Sequence, residues 1–330
     1  MANKKKFKVT FNTLLFLIWI LIFVAIAVIS PAFLSPGYLV NVMLRNIVEI
    51  GMVALPMTLI IITGGIDLSV GNIMILSATL GGLAAASYGS VAGIIVTLVT
   101  GLVCGLLNGL IIVKAKISPM VTTLATMYLY LGISRGISKG NSIYTYEFTT
   151  LMGTTSLFGV PLQIWIYIIL AVIFTILLSK TTLGRKLYSI GLNENATQYA
   201  GIDIGKIKII MYVICGLVCA LASYIWLGRF TSIKFDAGTN FNMKVITIIV
   251  LGGTSINGGI GSMVGTIIGT LIIATLNSGL TVMNIPIDVQ TIVHGSVLIV
   301  ALIGYAVINN RAKKKKLIKI EAAPKQAASM

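Results

Sequence analysis

Charged residues are scarce in this chain: they make up 10% of its 330 residues, whereas apolar residues make up 57%. A soluble globular domain carries roughly a quarter charged residues, so a soluble fold would be unable to cover this much apolar side chain. The apolar runs are also long and continuous, which is typical of membrane-spanning helices and not of alternating strands. The composition therefore predicts an all-α polytopic membrane protein.

Histidine and cysteine are also scarce, with one and three residues. Cys215 and Cys219 share a helix face, but neither histidine nor carboxylate accompanies them, which favours packing residues over a metal pair. Cys104 likewise lies in an apolar segment, so no disulfide framework is indicated. We predict no metal and no cofactor. His294, the only histidine, is expected to be packed and hydrogen-bonded, with a proton relay as the alternative.

A phosphate-binding loop of the form G-x-x-x-x-G-K-[ST] is absent. The nearest approach runs from Gly201 to Lys206, but its spacing differs and Ile207 follows the lysine. No clustered nucleophile is visible either. The sequence therefore predicts no catalytic residues and no ATP site, which disfavours a membrane-embedded enzyme.

Ten apolar segments fit the hydropathy pattern, some of them short or broken at Gly-rich stretches. They lie near residues 11–29, 44–63, 70–88, 91–113, 117–136, 161–178, 207–228, 244–253, 262–284 and 291–308. With ten spans, 18 of the 24 Lys and Arg residues fall on one side and six on the other. This bias predicts that both termini are cytoplasmic, and it explains the net charge of +16 without a nucleic-acid partner.

These spans divide the chain into three regions. Residues 1–10 form a basic cytoplasmic N-terminus, residues 11–308 the transmembrane domain, and residues 309–330 a basic tail. The tail is rich in Ala, Pro, Gln and Ser after its lysines and is predicted to be disordered. A stop-transfer role is favoured for these lysines, and contact with anionic lipid is the alternative.

Two Gly-rich breaks interrupt the apolar pattern. The first break, residues 62–72, includes Thr63, Gly64, Gly65, Asp67, Ser69 and Asn72, and the second, residues 251–261, includes Gly252, Gly253 and Asn257. Hydrocarbon cannot satisfy free backbone groups, so each break must be buried in protein or line a polar cavity. Asp67 is costly in lipid, which makes it a functional candidate; capping of the next helix at Ser69 or Val70 is an equally supported role.

The longest basic loop, residues 180–206, holds the third informative segment. Asn193 is placed to cap a short amphipathic helix that Gly201 ends. Such a helix suits docking into a groove of a soluble partner, whereas an ordinary solvated loop is the alternative.

In this order and spacing, the segments resemble the sugar branch of the binding-protein-dependent permease family, which includes ribose, rhamnose and autoinducer-2 importer subunits. The resemblance extends from about Phe33 to Tyr305. It is carried by these strings: Ala54-Leu55-Pro56-Met57-Thr58-Leu59, Thr63-Gly64-Gly65-Ile66-Asp67-Leu68-Ser69-Val70-Gly71, Leu107-Asn108-Gly109, Thr182-Leu183-Gly184-Arg185, 193–202 and Val250-Leu251-Gly252-Gly253-Thr254-Ser255 with Gly258-Gly259.

The resemblance implies a permease subunit of an ATP-binding-cassette importer in the bacterial plasma (inner) membrane, with no enzymatic activity of its own. The implied partners are ATPase subunits at the cytoplasmic loops, a second permease copy or paralogue, an extracytoplasmic solute-binding protein and membrane lipid. The expected path or gate residues are Thr63, Gly64, Gly65, Asp67, Ser69, Asn72, Asn108, Gly252, Gly253, Asn257 and Asn277. The expected ATPase-coupling residues are Arg185, Asn193, Glu194, Asn195, Ala196 and Gly201.

Three other functions stay open from the sequence. A branched-chain amino-acid permease shares the expected fold, but the first break favours the sugar branch. An autoinducer-2 permease stays open because of one departure: Phe241-Asn242-Met243-Lys244 lacks the acidic residue that many sugar permeases have there, and its Met-Lys pair resembles the rhamnose and autoinducer-2 members. A self-contained secondary transporter would need buried ion-coupling groups, and Glu49, Asp67 and His294 nearly exhaust those.

Overall fold

The protein is a bundle of long helices, seen in a computed structural model that describes residues 11–238, 240–297, 299–300 and 303. The α-helices with defined bounds are α1 Phe11–Ile29, α2 Pro36–Tyr38, α3 Arg45–Ile62, α4 Val70–Tyr88, α5 Ser90–Lys114, α6 Pro119–Ser138, α7 Leu162–Lys180, α8 Thr182–Leu192, α9 Glu194–Tyr199, α10 Ile204–Phe230, α11 Phe241–Leu251 and α12 Met263–Val282. Residues 287–297 are also helical. The predicted regions 1–10 and 309–330 lie outside the described residues.

Short irregular elements connect these helices. A 3₁₀ turn spans Pro31–Leu34, and π-helical turns span Leu39–Leu44 and Thr149–Thr154. Two pairs of two-residue antiparallel strands complete the connections: β1 Ile143–Tyr144 with β4 Ser232–Ile233, and β2 Ser156–Leu157 with β3 Val160–Pro161.

The all-α membrane class is confirmed. The predicted count of ten spans is only approximate. By length and composition, seven described helices can cross a membrane, with Pro36–Ile62 counted as one. The other three predicted spans correspond to α6, to the 11-residue helix α11, and to residues 291–308, which are described only in part. Helix α11 is too short to cross a membrane because it ends where the second break begins, at Gly252.

Helix α3 lies at the centre of the bundle. Fifteen of its 18 residues are buried, whereas only Leu15 and Ile26 are buried in the 19-residue helix α1. Helix α3 is buried on every side, and α7, α10, α11 and α12 all pack against it. It therefore forms the core around which the rest is arranged.

A buried ion pair fixes α3 to α10. Arg229 donates through Nη1 to both carboxylate oxygens of Glu49, at 2.7 and 2.8 Å, and to the carbonyl oxygen of Arg45 at 2.8 Å. The Glu49 side chain is 2% exposed and that of Arg229 is 7% exposed. Paired charges that also satisfy backbone groups are tolerated inside a membrane protein, so this pair accounts for Glu49 without an ion-coupling role.

Helices α5 and α10 cross at glycines. A Cβ added to Gly101 would overlap the carbonyl oxygen of Gly216, and one added to Gly105 would overlap that of Tyr212. The two backbones are therefore in direct contact, which is how membrane helices gain packing energy without a hydrophobic driving force.

This crossing predicts that Gly105→Ala destabilises the protein. The added methyl group must separate two backbones, so we expect the free energy of unfolding to fall by about 1–3 kcal/mol. The matched control is Gly132→Ala on α6, where a Cβ meets nothing within 4 Å; this variant should be neutral or slightly stabilising, because Ala favours helix over Gly. The thermal unfolding midpoint in detergent measures both, and equal midpoints would contradict the proposed contact.

Candidate functional site

The first break carries a buried polar network, which we call the Asp67 network: Asp67, Ser69, Asn108 and Tyr130. The Oδ1 of Asp67 accepts from the backbone N–H of Ser69 at 2.9 Å and from its hydroxyl at 2.6 Å. Asn108 donates to the Ser69 hydroxyl at 2.8 Å, and Tyr130 donates to Asn108 Oδ1 at 3.1 Å. The predicted bond from the Ser69 N–H to Asp67 is present, but Ser69 is itself the N-cap residue of α4 and no side chain caps that helix. The network ties the break to α5 and α6.

Other side chains satisfy the backbone of the same break. The Leu68 N–H donates to the Thr123 hydroxyl at 3.0 Å, and the Leu68 carbonyl accepts from the Asn242 amide. The Gly71 N–H donates to Asn242 Oδ1 at 2.8 Å. Because Asn242 both donates and accepts, it joins α11 to the break at two positions, Leu68 and Gly71. Apart from the exposed Gly64, the first break is therefore buried or half-buried in protein, the first of the two arrangements that hydrocarbon permits.

The two breaks and helix α8 meet at what we call the glycine junction: Ile62, Gly64, Gly191, Gly258 and Gly259. The Gly259 N–H donates to the Ile62 carbonyl oxygen at 2.8 Å. A Cβ on Gly258 would lie 2.8 Å from the backbone nitrogen of Gly64, and a Cβ on Gly191 would overlap the Ile62 oxygen. Three segments that are far apart in sequence therefore touch through their backbones.

Tyr188, one turn before Gly191 on α8, strengthens this contact. Its hydroxyl donates to the carbonyl oxygen of Gly261 at 2.8 Å. Burial raises the pKa of Tyr188 above the ordinary phenol value of 10.0, so the phenol keeps its proton at neutral pH and remains a donor.

The predicted short helix in the basic loop is confirmed as α9. Asn193 Oδ1 accepts from the Ala196 N–H at 2.9 Å, which caps the helix as expected. Gly201 follows it with a φ of +79°, the left-handed conformation that ends a helix. The helix is exposed, and the side chain of Tyr199 is 91% exposed. A cavity of about 650 Å³ lies between α9 and the α5–α6 turn, beside the Glu194–Lys208 ion pair.

The predicted path residues fall into groups that the structure places apart. Thr63, Gly65, Asp67, Ser69, Asn72, Asn108 and Gly252 are buried, Gly253 is half-buried, and Gly64 and Asn257 are exposed. Asn277 lies elsewhere: it lines a cavity of about 540 Å³, the Lys244 cavity, together with Lys244, Thr281, Asn284, Gln290 and His294. Within the described ranges, no cluster of three His, Cys, Asp or Glu is placed to hold a metal ion.

Three residues of the site were not predicted. Asn242 was noticed only for the acid it replaces, and Tyr130, which is 2% exposed, belongs to no motif that would mark it. Thr123 carried no signal, since a threonine within an apolar helix is unremarkable. The one available clue was the presence of polar residues on other helices at the same depth in the membrane as the break. A break that leaves backbone groups free needs such partners on neighbouring helices.

The Asp67 network predicts that Ser69→Ala destabilises the protein. The substitution removes a hydroxyl that donates to Asp67 and accepts from Asn108, so we expect a loss of about 1–3 kcal/mol. Ser77→Ala on α4 is the matched control, because Ser77 is as buried and its hydroxyl has no hydrogen-bond partner in the described part of the chain. Thermal unfolding in detergent compares them, and equal stability of the two variants would refute the network.

Comparison with known proteins supports a transport role for this geometry. Residues 38–302 match the family model described as branched-chain amino acid transport system / permease component. The ribose import permease of Bacillus subtilis (strain 168) is 39% identical over 285 residues, 85% of this chain and 88% of that protein. The ribose import permease of Escherichia coli (strain K12) is 35% identical over 294 residues, 87% and 91% of the two chains.

An autoinducer 2 import system permease of Photorhabdus temperata is 32% identical over 284 residues, 82% of this chain and 85% of that protein. No solved structure matches the chain. Both the family model and these relatives cover most of the chain, including both breaks, the glycine junction and the α8–α9 loop. The chain therefore belongs to this family of transport-system permease components.

Proposed function

We propose that this chain is the membrane permease subunit of an ATP-binding-cassette importer for a monosaccharide or sugar-like solute. The observation that carries the proposal is the glycine junction, which joins an exposed docking helix region to both breaks of the membrane domain. The ribose and autoinducer-2 import permeases support the solute class, since they are relatives over most of the chain. ATP hydrolysis belongs to a separate subunit, in keeping with the missing phosphate-binding loop.

Coupling to the ATPase takes place at α8 and α9. The exposed residues Arg185, Asn193, Glu194, Asn195 and Ala196 present a docking surface, and Gly201 ends it. Displacement of this surface moves Gly191, which contacts Ile62 and Gly259 directly. Because these backbones are in close-packed contact, a movement of Gly191 also displaces both breaks.

The solute path runs between two permease subunits, identical or paralogous, and opens alternately to each side. The exposed Gly64 and Asn257 and the half-buried Gly253 line or gate it at the junction. The buried residues Thr63, Gly65, Asp67, Ser69, Asn72, Asn108 and Gly252 hold the breaks in shape. Asn277 contributes at a separate point along the path.

The protein lies in the bacterial plasma (inner) membrane with residues 1–10, 180–206 and 309–330 on the cytoplasmic side. The excess of Lys and Arg in these regions supports this orientation. An extracytoplasmic binding protein delivers the solute to the opposite side, and the basic tail is placed to contact anionic lipid.

ATP-driven uptake tests the function. The chain is reconstituted in liposomes with its co-purifying ATPase and binding protein, and uptake of radiolabelled ribose and other monosaccharides is measured with and without ATP on the ATPase side. Uptake that requires ATP is the expected result. Uptake by the purified chain alone would support a secondary transporter and overturn the proposal.

The glycine junction predicts that Gly191→Ala uncouples ATP hydrolysis from uptake. The methyl group forces α8 away from Ile62 and Gly259, so uptake per ATP hydrolysed should fall about tenfold. Ser189→Ala is the control, because Ser189 is exposed and bonds only within its own helix. The complex must still assemble and hydrolyse ATP in both variants. Normal coupling in an assembled Gly191→Ala complex would contradict the assignment.

A further inference from the structure

The Lys244 cavity is a second polar site, separate from the two breaks. It lies among α11, α12 and the helical residues 287–297 and has a volume of about 540 Å³. Lys244 is in the first turn of α11, seven residues before Leu251, which puts it about 10 Å along the helix from the second break. The volume of the cavity lies within the range of small-molecule sites in proteins.

Four polar side chains of this cavity are uncommitted, whereas those of Thr281, Gln290 and Thr291 donate to backbone carbonyl oxygens. Lys244, Asn277 and Asn284 make no side-chain hydrogen bond or ion pair with any residue that the structure describes. His294 Nε2 is buried, and it too has no hydrogen-bond partner among the described residues, so the expected hydrogen bond of His294 is missing there. Two amides, an ammonium and an imidazole thus face one space with their hydrogen-bonding capacity free.

The cavity is also electropositive. Its lining includes the ammonium of Lys244 and no acidic residue of the described chain; Asp288, six residues before His294, is not part of it. A lysine in the first turn of a helix meets the positive end of the helix dipole, which is unfavourable without an anion. An ammonium in a membrane protein without a counter-charge marks a functional site by default.

We propose that the Lys244 cavity binds a small polyhydroxylated anion of the sugar-acid class. Lys244 holds the carboxylate by a charge-assisted hydrogen bond, and the amides of Asn277 and Asn284 bind hydroxyl groups. His294 supplies a further hydrogen bond. This assignment rests on the proposed transport function and narrows its solute class from sugar-like molecules to those with one negative charge.

Binding to the purified chain in lipid nanodiscs tests the assignment without the ATPase. Calorimetry compares D-ribonate, a five-carbon sugar acid, with D-ribose, its neutral counterpart. We expect ribonate to bind about tenfold more tightly than ribose. Lys244→Met should abolish this preference and Lys244→Arg should retain it. Lys234→Met should leave it unchanged, because Lys234 is exposed and paired with Asp236.

Several outcomes would overturn the assignment. They are equal affinity for ribose and ribonate, no binding of either, or a preference for ribonate that survives Lys244→Met in a variant with wild-type thermal stability. Loss of ribonate binding when phosphatidylglycerol replaces zwitterionic lipid would assign the cavity to a lipid headgroup instead. Because no ATP is present, ribonate binding with failed ATP-driven uptake would leave this site standing and overturn the transport proposal alone.

Discussion

Hydrocarbon offers no partner to a free backbone N–H or C=O, and this constraint decides where the chain can leave the helix. At the first break the chain is not helical for several residues after Ile62. Neighbouring helices supply hydrogen-bond partners for its backbone groups. Asn242 bonds to Leu68 and Gly71, and Thr123 bonds to Leu68. The break is thus an internal feature of the bundle and depends on α6 and α11 for its shape.

The second break is satisfied partly by the first. The Gly259 N–H uses the Ile62 carbonyl oxygen, which has lost its intrahelical partner at the end of α3. Only glycine allows the backbones to approach this closely, and Gly191 extends the same contact to α8. One requirement, the pairing of carbonyl and amide groups that have no partner within a helix, therefore links the membrane core to the basic loop.

Much of the fold could be predicted from the sequence, because long apolar runs and glycine pairs carry strong signals. The membrane class, the position of both breaks and the cap of α9 by Asn193 were confirmed. The number of spans was less certain, since α11 is short and α6 is less apolar. Boundaries shifted by a few residues, as at α10, which begins at Ile204.

The candidate site was predictable only in part. Asp67 and the glycines stood out because they are costly or unusual in a membrane segment. Their partners did not, since Thr123 and Asn242 are distant in sequence and ordinary in composition. The free groups of the Lys244 cavity had no sequence signal, because the lack of a partner is a property of three-dimensional packing.

Co-purification tests the central claim most directly. The tagged chain is isolated from native membranes in mild detergent, and every retained protein is identified by mass spectrometry. An ATP-driven importer predicts an ATPase with a G-x-x-x-x-G-K-[ST] loop and a solute-binding protein. Recovery of the chain alone, while another membrane complex stays intact in the same extract, would contradict the account.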